Sequence, residues 1–511
     1  MENRILHVGK QTIIWLSILF IGFLTVISLL STAYFSKETS FAEHPQYRMD
    51  SVLLNGLFLL AALFFCYWFL KGMRTEGSGE KILVLLVTVF VIGVSLLWTA
   101  VSHTYPEADQ KAVSWVAYLT SQNNFLFFEH GKYMQIYPNQ LGLTAILEGL
   151  YRLAGEENHK LFMYVTALSN GAVVYLLYKI TKKLFHSEKI NALVLLLSMG
   201  CIQIMLYTTF LYGIMLGLSL ALASFLFLLY CLEEKTWGGK KLLYGFLSAV
   251  LIGLSIQVKN NYSIFLVALA LLLLYKALEQ RKLWPVLMAF FLIFTSALMG
   301  KGLTAFYEAR SGIPITGGMP KTLWIAMGMQ EGERAEGWYN GFNYNTFLKT
   351  DCDPKKSSAI AKEAIEESLE GFVSDPLYAL SFYYKKTASQ WNEPTYEALW
   401  VNQFHQGDFS VIVQSIYEGK LYTLLHEYMN GYQSLIFGAA FLCLLYRRRS
   451  FKPEQLFLLL VILGGFAFHT LWEAKSQYIF PYFVILLPYG AAGIVSLTGQ
   501  MEEIRRKRDD R

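Results

Sequence analysis

Residues 82–101 read ILVLLVTVFVIGVSLLWTAV, and residues 102–110 continue as SHTYPEADQ. The first stretch is apolar and uncharged, and a run of about 20 such residues can cross a hydrocarbon core ~30 Å thick. The second stretch is polar and brings the carboxylates of Glu107 and Asp109 close together just after the apolar run ends. The change from apolar to polar residues predicts a membrane-spanning helix that is followed by an acidic loop at the membrane surface.

Apolar runs of this kind recur along the whole chain. Its 511 residues are 54% hydrophobic and 16% charged, with a mean hydropathy of +0.38, which is typical of membrane proteins. We predict an all-α polytopic membrane protein with about twelve transmembrane helices and with surface helices in two extracytoplasmic loops. The predicted spans are 12–34, 51–70, 82–101, 161–180, 191–211, 213–232, 241–258, 262–277, 284–304, 432–446, 454–471 and 478–497.

The distribution of Lys and Arg predicts the orientation of these spans. Basic residues are concentrated in alternate loops, and the positive-inside rule places those loops and both termini in the cytoplasm. The short loops on the other side hold only Lys37, Arg48, Lys259 and Lys475. The net charge of +5 follows from this bias and a basic tail, so it does not indicate nucleic-acid binding. We expect a protein of the cell membrane whose active site is extracytoplasmic.

The spans and long loops divide the chain into four regions. Two N-terminal transmembrane helices occupy 1–80, and a transmembrane catalytic core with a first extracytoplasmic loop at 102–160 occupies 81–304. An extracytoplasmic helical segment follows at 305–431. The C-terminal transmembrane helices and a basic cytoplasmic tail make up 432–511.

Helical patterns occur in both long outside loops. Residues 109–120 predict a helix on the membrane surface, because Val113, Val116 and Ala117 share one apolar stripe. Residues 141–153 predict a second helix, and 357–372 predict an amphipathic one.

Two short acidic motifs in the second loop are typical of helix starts. Ser374-Asp375-Pro376 combines a capping residue with a proline. Asp351-Cys352-Asp353 has the Asp-x-Asp form of some metal sites, but Pro354 follows it, which favours a cap. The histidines show no spacing typical of a ligand set, so we predict neither a metal nor a cofactor.

Asp109 and Glu107 are the candidate catalytic residues. A carboxylate at the edge of the membrane can be partly desolvated and can accept a proton from an attacking hydroxyl group. The alternative is a solvated loop acid or the N-cap of the next helix. In the same loop, Tyr137, Asn139 and Gln140 are candidates for substrate binding, because amides can hydrogen-bond sugar hydroxyls. Asn139 could instead cap a helix.

Lysines on the outside surface are candidates for binding a phosphate. Lys259 and its neighbour Asn260 lie on an outside turn, where the positive-inside rule disfavours a Lys, so an anionic lipid head or phosphate is the natural partner. Snorkelling is the alternative. On another outside turn, Lys475 could serve the same phosphate or pair with Glu473.

Further candidates are Tyr478, Lys385 and Trp391. Lys385 could bind a phosphate or lie on a solvated helix face. Trp391 could stack on a sugar, although aromatic residues at a membrane interface are common without that function.

A family resemblance rests on several of these segments taken in order. They are Asp109 before a surface helix, YPNQLG at 137–142, YTTFLYG at 207–213, the stretch from Lys385 to Trp391, and WEAKSQY at 472–478. In this order the chain resembles the integral-membrane glycosyltransferases of the C superfamily, in particular bacterial relatives of protein mannosyltransferases and of the aminoarabinose transferase of lipid A. Ile214 and Gln477 depart from that pattern, since relatives often have an acid and an Arg there.

The resemblance implies a polyprenyl-phosphate sugar donor, with Asp109 as the base and with Lys259, Lys385 and Lys475 nearest to the lipid phosphate. We therefore predict an inverting glycosyltransferase that acts on an envelope glycan, lipid or protein. Donor, acceptor and membrane lipids would be its partners. The alternative is a transporter or flippase of a lipid-linked saccharide, which would place ionisable residues near the middle of the membrane.

Overall fold

The computed structural model describes residues 2–35, 44–72, 78–401, 407 and 410–509. Within these residues, eleven helices are long and apolar enough to cross a membrane, or twelve if the bent pair Glu188–Gly200 and Ile202–Thr209 is one span. The two members of that pair differ in direction by 53°. Each predicted run coincides with one of these helices or with the pair, so the chain is an all-α, multi-pass membrane protein. Lys37 lies outside the described residues.

The chain begins with a span, a hairpin and two more spans. The hairpin strands are antiparallel, with Ser31 opposite Met49. The elements are α1 (Glu2–Leu30), β1 (Ser31–Phe35), β2 (Pro45–Met49), α2 (Val52–Gly72) and α3 (Ser78–Val101).

The first long loop contains α4 (Asp109–Ser121), α5 (Tyr133–Ile136) and α6 (Leu141–Ala154), with 3-10 turns at Leu126–Phe128 and Pro138–Gln140. The central helices follow. They are α7 (His159–Phe185), α8 (Glu188–Gly200), α9 (Ile202–Leu206), α10 (Ile214–Glu233), α11 (Gly239–Val258), α12 (Ser263–Gln280) and α13 (Trp284–Ser311), with 3-10 turns at Tyr207–Thr209 and Asn260–Tyr262.

The second long loop carries α14 (Lys321–Gly328), α15 (Phe342–Lys349), α16 (Pro354–Ser374), α17 (Pro376–Trp391), α18 (Ala398–Val401) and α19 (Val411–Glu418). The last helices are α20 (Lys420–Arg447), α21 (Phe457–Leu471), α22 (Phe480–Val484) and α23 (Leu487–Asp509), with 3-10 turns at Pro453–Leu456 and Ser476–Tyr478. α20 begins twelve residues before the predicted run 432–446. The prediction was shorter because the first turns of this helix are polar and have low hydropathy.

Small residues hold the central helices together. Ser255 Oγ on α11 donates a hydrogen bond of 2.7 Å to the Gly217 carbonyl on α10, and Ser224 Oγ donates one of 2.8 Å to the Ser248 carbonyl. Such residues allow helix backbones to approach closely inside a membrane, where apolar burial drives association little.

The helix predicted to begin at residue 109 is present. Its apolar face packs against α6 and not against the membrane. Val113 and Ala117 are fully buried in a cluster with Leu143 and Leu147 of α6. The sequence pattern could not distinguish these partners, because a lipid surface and a neighbouring helix both call for one apolar face.

The predicted helix caps are confirmed. Asp353 accepts hydrogen bonds from the backbone nitrogens of Lys355 and Lys356 at 2.8 and 3.1 Å. Asp375 does the same at the start of α17, at 3.1 and 2.9 Å. Asp351-Cys352-Asp353 therefore begins α16.

The N-terminal hairpin ties the first two spans to the second long loop. The Ala33 nitrogen donates to the Asn392 carbonyl at 3.1 Å, and Asn392 Nδ2 donates to the Ser31 carbonyl at 2.8 Å. Asp50, after β2, accepts from Asn430 of α20 at 2.8 Å. The sequence assigned no role to this region, and these contacts give it a structural one.

Candidate active site

The start of α4 holds Asp109 at a defined place. Ala108 occupies the cap position with a φ of 51°, a left-handed conformation that is uncommon for a residue with a side chain. Asp109 is thus the first helical residue and not the cap. The next residue, Gln110, is buried and accepts a hydrogen bond of 2.6 Å from the Leu211 nitrogen. The exposed Asp109 is therefore fixed by the segment on either side of it.

Glu107 has different surroundings from Asp109. Its carboxylate lies 3.5 Å from the Lys111 nitrogen, one helical turn further along α4. The Glu107 carboxylate therefore has an ammonium partner on the helix that follows it.

Lys259 lies at the end of α11 between two aromatic rings. Its Nζ is 5.0 Å from the ring centre of Tyr212 and 5.3 Å from that of Tyr478, which is within cation–π range. Gly213 follows Tyr212 with a φ of 67°, and a Cβ there would come within 2.5 Å of a methyl group of Val258. The turn at 207–213 thus packs tightly on the residue before Lys259.

Several charges act on Lys259 across the site. Burial, and then the positive charge of Lys475, lower the pKa of Lys259 to about 8. Three carboxylates oppose that change, those of Asp109, Glu397 and Glu473. Lys475, Asp109 and Glu473, which were predicted on two separate loops, therefore all lie close enough to Lys259 to change its pKa.

The turn after α21 supplies the other side of this neighbourhood. Tyr478 donates a hydrogen bond of 3.4 Å to Glu473. The Ala474 nitrogen donates to the Gly337 carbonyl at 2.8 Å, and the buried Lys386 donates to the Trp472 carbonyl at 2.8 Å. The second long loop thus holds the backbone of the turn that carries Glu473, Lys475 and Tyr478.

Tyr137 extends the site toward the first loop. Burial and then the charge of Asp109 raise the pKa of Tyr137. Its ring lies 6.2 Å from Trp324, which stacks on Trp472 at 5.7 Å with an interplanar angle of 10°. These rings form an aromatic wall between the first loop and the turn after α21.

The amides predicted beside Tyr137 lie on the surface of the same loop. Asn139 is exposed and Gln140 is half-buried, in a 3-10 turn that precedes α6. Asn139 therefore does not occupy the cap position of α6, which is Gln140. Asn260 is exposed on the turn directly after Lys259.

Two buried acids were missed in the sequence. Glu393 and Glu397 are both 0% exposed, and the Ser476 hydroxyl lies 3.0 Å from a Glu393 oxygen and 3.3 Å from a Glu397 oxygen. Burial raises the pKa of Glu393. Gln477 donates to Glu397 through its side chain at 2.9 Å and through its backbone nitrogen at 3.2 Å.

The backbone around these acids is strained. Tyr396 and Glu397 have φ values of 50° and 64°, in the left-handed region that residues with side chains rarely adopt. The only sequence signal was two acids in NEPTYE, between two helices. Nothing in that pattern indicates burial, which depends on a turn that lies about 80 residues later in the chain.

Two predicted binding residues, Trp391 and Lys385, are engaged by other side chains of the protein. Trp391 is 2% exposed, and its ring packs against Phe20 at 4.9 Å and Tyr482 at 5.7 Å, so it has no open face for a sugar. The Lys385 nitrogen lies 2.7 Å from Glu336. Trp391 thus packs behind Tyr482, and the Lys385 ammonium group pairs with Glu336.

A small recess, open to solvent, lies beside Lys259. Its walls include Gln477, Tyr478, Phe265 and Tyr482, so it joins a cationic end to an apolar interior. Among the described residues, no three His, Cys, Asp or Glu side chains are grouped so that they could hold a metal ion.

Comparison with known proteins gives matches among solved structures alone. No family model matches, and no curated protein matches. The chain is similar to the archaeal oligosaccharyltransferase AglB from Archaeoglobus fulgidus in complex with an inhibitory peptide and a dolichol-phosphate, with a TM-score of 0.46, 11% identity, and coverage of 85% of this chain and 52% of that one. It thus spans about half the length of that enzyme.

A second similar structure is ArnT from Cupriavidus metallidurans bound to undecaprenyl phosphate, with a TM-score of 0.37 and 13% identity. The alignment covers 82% of this chain and 78% of that one. Similarity at these levels does not assign a function to this chain.

Proposed function

We propose that this protein is a membrane glycosyltransferase that moves a sugar from a polyprenyl-phosphate carrier to an acceptor at the extracytoplasmic face. The observation that carries the proposal is the position of Lys259, which lies between the rings of Tyr212 and Tyr478 beside the recess, where the charges of Asp109 and Lys475 also act on it. A base for a hydroxyl group and cations for a phosphate are the two elements that such a transfer needs.

The proposed reaction is a displacement with inversion at the anomeric carbon. The acceptor hydroxyl gives its proton to Asp109 while its oxygen forms a bond to C1 of the sugar. The bond from C1 to the phosphate oxygen breaks, and the leaving group departs as polyprenyl phosphate. That group is already an anion, so it requires no proton at this step.

Lys259 and Lys475 would hold the leaving phosphate. Ammonium groups aimed at the phosphate stabilise the negative charge that develops as the bond breaks, and they do so most strongly in a partly buried site. The recess beside Lys259 supports this assignment, because Phe265 and Tyr482 offer an apolar surface next to the cation.

Tyr137, Glu473 and Tyr478 would contact the sugar or the acceptor. Tyr137 is half-buried and lies within the field of Asp109, and Glu473 and Tyr478 are hydrogen-bonded to each other. We leave Lys385 and Trp391 out of this proposal because of their positions.

The experiment that tests the proposal is sugar transfer in detergent solution. The purified protein is mixed with a polyprenyl-phosphate sugar labelled in the sugar and with an acceptor fraction of envelope glycans, lipids and proteins. An enzyme transfers label without a sealed membrane, whereas a transporter or flippase moves its substrate only between two compartments. Absence of transfer to every fraction, by a folded protein that does move lipid-linked saccharide across vesicles, would contradict the proposal.

A further inference from the structure

An exposed apolar stripe runs around the junction of α16 and α17. It consists of Leu369 and Val373 at the end of α16, and of Leu377, Leu380 and Tyr384 on α17. Val373 and Leu377 are each 79% exposed, and Leu380 is 69% exposed. We call these five residues the elbow stripe. Large apolar side chains this exposed, and contiguous, mark a surface that meets another apolar phase.

The helical spacing places the stripe on one side of each helix. Residues 369 and 373 are one turn apart on α16, and residues 377, 380 and 384 recur at helical spacing on α17. The opposite side of α17 is buried, with Phe382 and Lys386 each 1% exposed. The stripe is thus the outer face of a helix whose inner face is packed in the protein.

The stripe is continuous with the lipid-facing surface of the first span. The Tyr384 ring lies 6.3 Å from the ring of Phe23 on α1, in an edge-to-face arrangement. Phe23 is seven residues from the end of α1 at Leu30, which corresponds to roughly 10 Å along the helix axis. Phe23 is itself 37% exposed on an apolar span. Tyr384 therefore contacts a partly exposed position on an apolar span.

We propose that the elbow stripe inserts into the lipid leaflet on the side of the candidate site and anchors the second long loop to the membrane. Amphipathic segments that lie in the interface bury their apolar face about 5–10 Å deep. Phe23, which Tyr384 contacts, lies roughly 10 Å before the end of α1. The inference does not depend on the proposed catalytic activity.

Insertion would also fix the position of the candidate active site relative to the membrane surface. The buried Lys386, on the inner side of α17, donates a hydrogen bond to the Trp472 carbonyl. Trp472 directly precedes Glu473, so a helix held in the leaflet also holds the turn that contains Glu473 and Lys475.

The test places an environment-sensitive fluorophore on the stripe in a lipid bilayer. In a Cys352→Ser background, which leaves four buried cysteines, single cysteines replace Leu377 or Leu380 and are labelled with NBD. The control is Glu367→Cys, on the exposed polar side of α16 near the same junction. The proteins are reconstituted in nanodiscs of phosphatidylcholine and phosphatidylglycerol, with and without lipids that carry a nitroxide near the headgroup.

We expect a blue-shifted emission at positions 377 and 380 and quenching by the nitroxide lipid that is several-fold stronger than at position 367. Emission at 377 and 380 equal to that at 367 would show a surface in water and would overturn the proposal. A blue shift without lipid quenching would show that a protein, or a second copy of this chain, covers the stripe, and this too would overturn it. Gel filtration and thermal unfolding identify any labelled protein that is misfolded, and Leu380 then replaces Leu377 as the reporter.

Discussion

The Nζ of Lys259 lies 5.3 Å from the centre of the Tyr478 ring, which joins the end of α11 to the turn after α21. This contact sets a cation at the mouth of the recess and within the field of Asp109. Because the pKa of Lys259 is lowered to about 8, its charge changes close to neutral pH.

Donor binding should therefore depend on pH through Lys259. The ammonium form attracts the phosphate below pH 8, and the neutral amine does not, so the KM for the donor is expected to rise as the pH passes through about 8. In Lys259→Arg the rise should be absent, because a guanidinium stays protonated. Lys259→Met should raise the KM roughly 10- to 100-fold at pH 7, since hydrogen bonds to charged groups contribute about 1.5–3 kcal/mol. Initial rates across pH check this, and equal profiles for wild type and Lys259→Arg would exclude Lys259 as the phosphate ligand.

Glu397 should affect the pH at which the KM for the donor rises. Its negative charge raises the pKa of Lys259, so Glu397→Gln is expected to move the rise in donor KM to lower pH. The variant should also lose about 1–3 kcal/mol of unfolding free energy, because a buried amide cannot accept all the bonds that the carboxylate accepts. Glu393→Gln is the matched control, with a similar loss of stability and an unchanged pH profile. An unchanged profile in both variants would limit Glu397 to a structural role.

Trp391 should act through packing. Its ring is 2% exposed against Phe20 and Tyr482, so Trp391→Ala is expected to cost roughly 3–5 kcal/mol of stability through the cavity it leaves. Trp391→Phe, which keeps an aromatic ring there, should lose less and should leave the KM for donor and acceptor unchanged. Thermal unfolding in detergent and steady-state kinetics measure both effects. A stable Trp391→Phe protein with a raised KM would point to substrate contact.

Gly142 should be intolerant of a side chain. A Cβ at this position would overlap the carbonyl oxygen of Gln257, two residues before Lys259, whereas a Cβ at Gly149 on the same helix meets nothing within 4 Å. Gly142→Ala is therefore expected to force α6 away from α11 and to lower both stability and transfer. Gly149→Ala should be neutral or slightly stabilising, because Ala is the better helix former by about 1 kcal/mol. Equal behaviour of the two variants in unfolding scans would show that α6 and α11 do not approach as described.

The sequence predicted the spans well because each depends on a local property. An uncharged apolar run such as 82–101 needs no distant partner to be recognised. The caps at Asp353 and Asp375 are equally local, since donor and acceptor lie within three residues of each other. The predicted run 432–446 was shorter than α20 because the first turns of that helix are polar and lower its mean hydropathy.

Only part of the candidate active site was predicted, because only some of its residues can be recognised from local sequence. Asp109 and Lys259 stand out as charges at the ends of apolar runs. Glu393 and Glu397 do not, because their burial depends on Ser476 and on a strained backbone that composition does not report. The burial of Trp391 was not evident for the same reason, since the sequence cannot distinguish an interface aromatic residue from one that is packed against another span.

The central claim is that Asp109 is the base, and Asp109→Asn tests it most directly, with Glu107→Gln as the matched control on the same loop. The asparagine keeps the shape of the side chain but cannot take up a proton. We expect the rate of sugar transfer at saturating donor to fall about 100-fold or more in Asp109→Asn, the range of general-base catalysis. Because the charge of Asp109 also raises the pKa of Lys259, the two proteins are compared below pH 7, where Lys259 stays protonated. Glu107→Gln should stay near the wild-type rate, because Glu107 pairs with Lys111. A folded Asp109→Asn protein that transfers sugar at a near-normal rate would contradict the account.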